Sequence, residues 1–273
     1  MKTRRSIIIY LCFILFVSCF IASNLAVKES RKNLGVRYSF QINPLSPEVI
    51  TLFAGEFKGL MADYLLLEIG SFIGSNRKIS QDQWGKICLG FRQAQRLDPY
   101  FQQTYLLVQG VLAWCAKKPD TTVKILDVSR KHRPWDWRPG YYMGFDYYYF
   151  LNDYEKASEI FLETAKIKNA PLLIALLGSR FAVKSKRTEM SLQILNYMLK
   201  EPELQNTYKK ELKDRIIALK GVLLLEKAIS NYKKKNNAYP SSLEVLIEQK
   251  YIRKLPVNPY NQSFKYKNGQ VEF

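Results

Sequence analysis

The residue types that most often carry catalysis are scarce in this sequence. The single histidine, His132, stands between Lys131 and Arg133, where neighbouring positive charge opposes protonation and no carboxylate flanks the ring to orient it. One histidine cannot supply a site built on two, and no phosphate-binding loop, GxSxG or HExxH motif occurs. We therefore predict that the chain is not an enzyme and that it holds no cofactor and no metal.

An aspartate and four cysteines are the other residues that could do chemistry. Asp63 lies among apolar residues, either as a buried acid or, as we favour, as a residue of the polar face or a partner of Lys58 or of a backbone amide. The cysteines show no CxxC spacing, and Cys12 and Cys19 fall in an apolar segment. Cys88 and Cys115 fall on predicted helices, where we expect two buried thiols, with a disulfide as the alternative.

The charge of the chain is strongly basic and unevenly spread. The 42 Lys and Arg residues against 24 Asp and Glu residues give a net charge of +18. From Asn206 onward, 14 basic and 6 acidic residues leave +8, nearly half of the total. Such a field favours anionic partners, so the alternative function is a basic nucleic-acid-binding or anionic-polymer-binding protein. We rank nucleic acid below a protein partner, because no nucleic-acid-binding motif is present.

Residues 1–27 are predicted to form a cytoplasmic tail and a membrane anchor. The run from Ser6 to Val27 carries no charge. At about 1.5 Å per residue it forms a helix of about 33 Å, enough to cross a hydrocarbon core of about 30 Å. A signal peptide cleaved near Ala22 or Ala26, or lipid attachment at Cys19, are alternatives. Cations flank both ends, and they favour a single-pass membrane protein with a periplasmic or extracytoplasmic body.

Helix signals begin after a basic linker, residues 28–45. Ser46 has the character of an N-cap, with Pro47 at the first helical position. An apolar stripe at alternating steps of four and three follows, which predicts one face of a helix. Its members are Phe53, Phe57, Leu60, Tyr64 and Leu67. Ser80 and Gln83 then form a capping-box pattern that predicts the start of the next helix.

A repeating pattern extends through the middle of the chain. Gly110, Gly144 and Gly178 lie 34 residues apart. Two predicted helices carry similar apolar patterns that end at a proline. The helix before Gly110 has Trp84, Ile87, Phe91, Ala94, Leu97 and Pro99, and the helix after Gly144 has Tyr154, Ala157, Phe161 and Pro171. The pattern resembles the tetratricopeptide repeat. The resemblance implies about four degenerate helix pairs within residues 46–205, stacked as a helical-hairpin solenoid, with each glycine allowing close helix approach.

The same resemblance implies a concave wall lined by the first helix of each pair. It would place eight side chains there: Leu107, Val111, Trp114, Arg138, Tyr141, Phe145, Tyr148 and Tyr149. Aromatic and arginine side chains dominate binding hot spots, because they bring large contact area at little entropic cost. Our hypothesis is a groove that binds a peptide or helix of a partner protein. The alternative is that the aromatic residues all serve the core, as we expect for Tyr147 and Phe150.

Residues 206–273 are predicted to form a small α+β module. A long basic helix runs from Tyr208 to about Lys235, and a terminal β-hairpin turns at Asn268–Gly269, which suits a type I′ turn. The last 50 or so residues resemble the globular end of the type II secretion major pseudopilins. That resemblance is carried by Ala228, Ile229, Tyr232, Tyr239, Pro240, Leu243, Leu246, Tyr251, Pro256 and Pro259. Asn258 stands where that family has an acid, so we expect no calcium ion, and we expect the module to be a structural cap or docking surface.

The sequence therefore predicts a mainly α protein. It comprises an N-terminal transmembrane helix, a tetratricopeptide-like helical-hairpin solenoid, and a small C-terminal α+β module with a terminal β-hairpin. We expect a membrane-anchored, non-catalytic protein–protein interaction scaffold of the bacterial cell envelope, serving secretion or surface-polymer assembly.

Overall fold

The chain is built mainly from helices. A computed structural model describes residues 2–33, 44–75, 78–202 and 204–273, with the backbone alone for residues 2–9 and 31–33. The first helix, α1, spans Lys2–Asn33, and none of its apolar stretch Tyr10–Ser30 is buried by the described remainder of the chain. This helix is long and apolar enough to cross a membrane. Of the predicted linker, residues 28–33 continue α1, and residues 34–43 lie outside the described residues.

The body after α1 is a series of helices joined by short turns. They are α2 (Pro47–Ala54), α3 (Lys58–Ser75), α4 (Gln81–Leu97), α5 (Gln102–Val108), α6 (Pro119–His132), α7 (Trp137–Tyr149), α8 (Tyr154–Thr164), α9 (Leu172–Lys184) and α10 (Thr188–Met198). A 3₁₀ turn, Gly55–Phe57, joins α2 to α3, and a π-helical segment, Gln109–Cys115, continues α5.

Two of the helices begin where the sequence predicts. The Ser46 hydroxyl accepts a hydrogen bond from the Val49 amide at 3.4 Å, and Pro47 takes the first helical position of α2. The Gln83 amide donates to Ser80 Oγ at 3.3 Å, while Gln83 Oε1 accepts from the Ser80 amide at 2.8 Å. The predicted capping box at the start of α4 is therefore confirmed.

The helices of the body pack mainly against their neighbours along the chain. The pairs are α3 with α4, α5 and its π-helical continuation with α6, α7 with α8, and α9 with α10. Further contacts join α4 to α6, α6 to α7, and α8 to α9. The predicted apolar side of α4 is buried throughout, at Trp84, Ile87, Phe91, Ala94 and Leu97.

The buried side chains form three hydrophobic clusters. The first joins α2, α3, α4 and α6 around Phe72 and Phe91. The second, around Tyr105, Leu126 and Met143, lies between α5, α6, α7 and α8. The third begins in α8 and continues without interruption to Val271 near the end of the chain. One apolar core therefore crosses the predicted boundary between residues 205 and 206.

Two of the three regularly spaced glycines lie where helices approach closely. A Cβ atom added at Gly144 would lie 3.0 Å from the Phe161 ring, and one at Gly178 would lie 2.8 Å from Leu162 Cγ. The prediction for Gly110 is wrong, because a Cβ atom there would meet no heavy atom of the described residues within 4 Å. Gly110 lies in the π-helical segment, where Gln109 is buried in its place.

The predicted apolar stripe of α2 and α3 does not pack against the body. Its members are exposed: Phe53 at 77%, Phe57 at 68%, Leu60 at 67%, Tyr64 at 60% and Leu67 at 69%. The buried face of α3 instead carries Ala62, Leu65, Leu66, Ile69 and Phe72. Because α3 is apolar on two faces, its periodicity could not show which face packs. Asp63 is exposed, in agreement with the polar-face interpretation.

The two body cysteines differ from each other in exposure. Cys88 is buried, Cys115 is exposed, and both are free thiols. The expectation of two buried thiols is therefore wrong for Cys115, which lies at the end of the π-helical segment.

The C-terminal part consists of a long helix and a hairpin. Its elements are α11 (Asn206–Asn236), α12 (Glu244–Glu248), β1 (Lys265–Lys267) and β2 (Gln270–Glu272). The strands are antiparallel, and Tyr266 lies opposite Val271. Asn268 and Gly269 have φ angles of 49° and 82°, the positive pair that the predicted type I′ turn requires. The hairpin packs tightly on α11, since a Cβ atom at Gly221 would lie 2.6 Å from the Phe264 ring.

Replacing Gly178 by alanine should destabilise the body. The added Cβ atom would lie 3.1 Å from the Leu162 backbone nitrogen, so a side-chain rotation cannot relieve the clash. Overpacking of this kind costs about 1–3 kcal/mol, of which the better helix propensity of alanine returns up to about 1 kcal/mol. We expect a net loss of about 1–2 kcal/mol in the free energy of unfolding, measured by circular dichroism on the detergent-solubilised chain.

The matched control is Gly110→Ala, at the glycine with open space around its Cβ position. This variant should unfold at or slightly above the wild-type temperature. Equal effects of the two substitutions would contradict the close approach of α8 and α9 at Gly178.

Candidate functional site

Five aromatic side chains meet where the π-helical segment packs beside the end of α7. We call Trp114, Phe145, Tyr148, Tyr149 and Phe150 the aromatic cluster. The centroid of the Trp114 ring lies 5.0 Å from that of Phe150 and 5.3 Å from that of Tyr149. Phe145 and Tyr149 stack with centroids 5.4 Å apart. These are the separations of favourable aromatic pairs, so the cluster holds the two helical segments together.

The aromatic cluster continues into the core at α9. The Tyr148 ring stacks on the Phe181 ring with centroids 4.5 Å apart, and Phe181 is only 4% exposed. Ring contacts therefore join the π-helical continuation of α5 to α7, and α7 to α9. The cluster has a fixed, buried base at Phe181.

The outer rings of the cluster face solvent. Trp114 is 48% exposed and Tyr149 is 52% exposed, whereas Phe145, Tyr148 and Phe150 are half-buried. A ring that is fixed by neighbours and half open to solvent can bury further apolar area without losing much conformational entropy. The geometry therefore suits a contact surface for a partner, in addition to its packing role.

The sequence of α7 explains why these rings share one side. Phe145, Tyr148 and Tyr149 are spaced three and four residues apart, so they lie on the same helix face. Met143 is buried on another side of α7, and Gly144, four residues before Tyr148, allows α8 to approach.

Four of the eight predicted groove residues come together, and four lie elsewhere. Trp114, Phe145, Tyr148 and Tyr149 belong to the aromatic cluster. Leu107 is 36% exposed on α5, and Val111 is partly buried against the first hydrophobic cluster. Tyr141 packs inward, with its ring centroid 6.0 Å from that of the core residue Phe161.

Arg138 has a structural partner at the other end of α7. Its guanidinium lies 3.3 Å from the Asp136 carboxylate, and its position is eleven residues before Tyr149. At about 1.5 Å per residue, the two residues are separated by roughly 16 Å along the helix. Arg138 therefore does not join the aromatic cluster.

Sequence reasoning does not identify Phe150 and Phe181 as part of the site. The sequence predicts that Phe150 packs inward, yet it contacts Trp114, Phe145 and Tyr149. Phe150 follows the last residue of α7, so the helical period no longer fixes its direction. Phe181 lies three residues after Gly178, as Tyr147 does after Gly144, and that spacing is the signal that could have identified it.

A buried aspartate organises the turn before α7. Asp136 is 3% exposed and accepts hydrogen bonds from the Tyr105 hydroxyl at 2.6 Å, from Arg133 at 3.1 Å and from the Arg138 amide at 3.1 Å. Burial by itself would raise the pKa of Asp136, but these hydrogen bonds and the Arg133 charge outweigh it and lower the pKa. Asp136 is thus a charged N-cap that connects α5, α6 and α7.

A second buried aspartate lies beneath the aromatic cluster's helix. Gln109 Nε2 donates to Asp146 Oδ1 at 2.7 Å, which joins the π-helical segment to α7. Asp146 Oδ2 and Gln109 Oε1 are buried, and neither has a hydrogen-bond partner among the described residues. Burial raises the pKa of Asp146 to about 7, although the bond from Gln109 opposes the shift. A proton on the Asp146 carboxyl would supply a hydrogen-bond donor at a place where both Asp146 Oδ2 and Gln109 Oε1 are acceptors without a donor.

The described residues offer no evident metal centre. Within them, no group of three or more His, Cys, Asp and Glu side chains could hold a metal ion. The His132 Nδ1 atom lies 2.9 Å from the Val128 carbonyl oxygen, and the ring meets Tyr100 edge-on. That the chain is not an enzyme stays a prediction.

Comparisons with protein families, with curated proteins and with solved structures gave no match to this chain.

The buried Asp146 should make stability fall as pH rises. The unfolded carboxyl loses its proton near a pKa of about 3.9, whereas the folded one keeps it until about 7. Between these values the folded state binds more protons, so the free energy of unfolding decreases with increasing pH. Asp146→Asn should remove this component. We expect the variant to gain about 2–3 kcal/mol over the wild type between pH 5 and pH 8.

The measurement is urea unfolding of both chains in the same detergent at each pH. All other titrating groups are shared, so they cancel in the difference between the two curves. Parallel curves would show that Asp146 is ionised throughout this range.

Proposed function

We propose that the chain is a membrane-anchored, non-catalytic scaffold of the bacterial cell envelope that binds a peptide or helix of a partner protein. The observation that carries the proposal is the aromatic cluster, with Trp114 and Tyr149 half exposed on a base fixed at Phe181. Such rings are typical of binding hot spots. Secretion or surface-polymer assembly is the process in which we expect it to act.

We further propose that the helix pairs form a tetratricopeptide-like solenoid. Two observations support this proposal. The helices pair as α3 with α4, α5 with α6, α7 with α8, and α9 with α10. In addition, a hydrogen bond and a ring contact join the first helices of successive pairs. Gln109 donates to Asp146, and Trp114 contacts Phe145 with ring centroids 6.0 Å apart. In a solenoid each pair stabilises its neighbours, and the first helices line one continuous surface.

Two further elements complete the proposal. α1 would anchor the chain as a single membrane-spanning helix, with the body outside the cytoplasm. The C-terminal part, which resembles a pseudopilin globular end, would act as a cap, because its Val271 closes the core that begins in α8. Terminal caps are what repeat arrays need in order to cover their last apolar face.

Photo-crosslinking from the aromatic cluster tests partner binding. Benzoylphenylalanine replacing Tyr149 should give a discrete protein adduct in the native membrane. The same replacement at Tyr197, which is more exposed at 61% against 52%, should not. Adding Trp114→Ala should reduce the adduct at least about tenfold, since truncating a hot-spot aromatic typically costs about 2 kcal/mol or more.

The matched control is Trp135→Ala. Trp135 is 60% exposed and stacks on Tyr100, away from the aromatic cluster. This variant should leave the adduct unchanged. An adduct that survives Trp114→Ala, or one that forms equally from Tyr197, would refute the proposed groove.

The location of the body is tested separately. In intact spheroplasts, added protease should digest the body, while the α1 fragment should stay with the membrane after an alkaline carbonate wash. Full protection of the body would place it in the cytoplasm, and release of α1 by carbonate would contradict the anchor.

A further inference from the structure

α2 and α3 expose large apolar side chains, although both helices also bury apolar residues against the body. From here the apolar stripe includes Leu52 in addition to its five predicted members, and it consists of Leu52, Phe53, Phe57, Leu60, Tyr64 and Leu67. Each of these side chains is between 60% and 80% exposed. Scattered exposed apolar residues are ordinary, but six large ones within the sixteen positions 52–67 are a concentration that marks an interaction surface.

We infer that the apolar stripe rests in the interface of the same lipid bilayer that α1 spans, so that the body contacts the membrane at a second place. This inference rests on the anchoring proposed above. It adds a face of the body to the membrane contact of α1, and it does not depend on partner binding at the aromatic cluster.

The position of the stripe in the chain is the first argument. Only thirteen residues, 34–46, separate the end of α1 at Asn33 from Pro47. Fully extended, a segment of that length reaches no more than about 50 Å, because each residue spans at most about 3.6 Å. The apolar stripe therefore begins within this distance of the bilayer, in the helices nearest to the anchor.

The composition of the connecting sequence is the second argument. Residues 28–42 carry four basic side chains against one acidic side chain, and Tyr38 and Phe40 stand among them. Basic residues next to a span are attracted to anionic headgroups, and aromatic residues favour the interface. The chain therefore carries an attraction for the headgroup region immediately before α2 in the sequence.

The shape of the stripe also favours the bilayer. Its side chains protrude from a helix surface, and a bilayer interface accepts protruding Phe, Leu and Tyr side chains without needing a complementary groove. A second copy of the chain would instead have to present such a groove.

Photo-crosslinking in liposomes of phosphatidylethanolamine and phosphatidylglycerol tests the inference with the full chain. Benzoylphenylalanine is placed at Phe57 or Tyr64 in the stripe, at Phe13 in α1, and at Tyr197 on α10. Tyr197 is 61% exposed and Tyr64 is 60% exposed, so the two are matched in accessibility. We expect lipid adducts at positions 57 and 64 in yields comparable with position 13 and at least about tenfold above position 197.

Each other outcome decides against the inference in a distinct way. Yields at positions 57 and 64 no higher than at 197 would overturn it while leaving the anchor intact. Adducts between two copies of the chain at these positions would identify the stripe as a dimer interface. Failure to label lipid from position 13 would overturn the anchoring itself, and with it the contact that depends on it.

Discussion

The architecture of the body depends on how closely α7, α8 and α9 can approach one another. Gly140 and Gly144 face Thr164 and Phe161 of α8, and Gly178 faces Leu162 on the other side of the same helix. Added Cβ atoms would overlap these neighbours or press against them, so α8 can lie between α7 and α9 only because these positions lack side chains. The buried Asp136 and Asp146 then add hydrogen bonds to the apolar packing of the α5 region against α7.

The aromatic rings of α7 lie beside this close approach. Phe145 and Tyr149 stack on each other, and Tyr148 stacks on Phe181, so the rings join neighbouring helix pairs. Tyr149 is also 52% exposed. The same group of rings therefore packs within the protein and offers a contact surface, so the two interpretations of these residues are compatible.

Much of the fold could be predicted because its signals are local. The caps at Ser46 and Ser80, the buried side of α4 and the positive φ angles at Asn268–Gly269 each follow from residues within one or two turns of each other. The failures have tertiary causes. α3 is apolar on two faces, and only its packing on α4 reveals that the Phe57 side is the outer one. The π-helical segment changes the helical register after Val108, so Gly110 no longer faces α6. For the same reason, the sequence places the candidate-site residues of α7 better than those of this segment.

The manner in which the core closes has a consequence for synthesis. Most helix contacts join elements that are adjacent along the chain, and these can form in sequence as the polypeptide leaves the ribosome. β2 is different, because it reaches back to α9 and α11, and its Val271 is almost completely buried there. The last apolar cluster is therefore completed only after β2 has been made. Until then part of its apolar surface stays exposed, and exposed apolar surface in an incomplete chain favours aggregation.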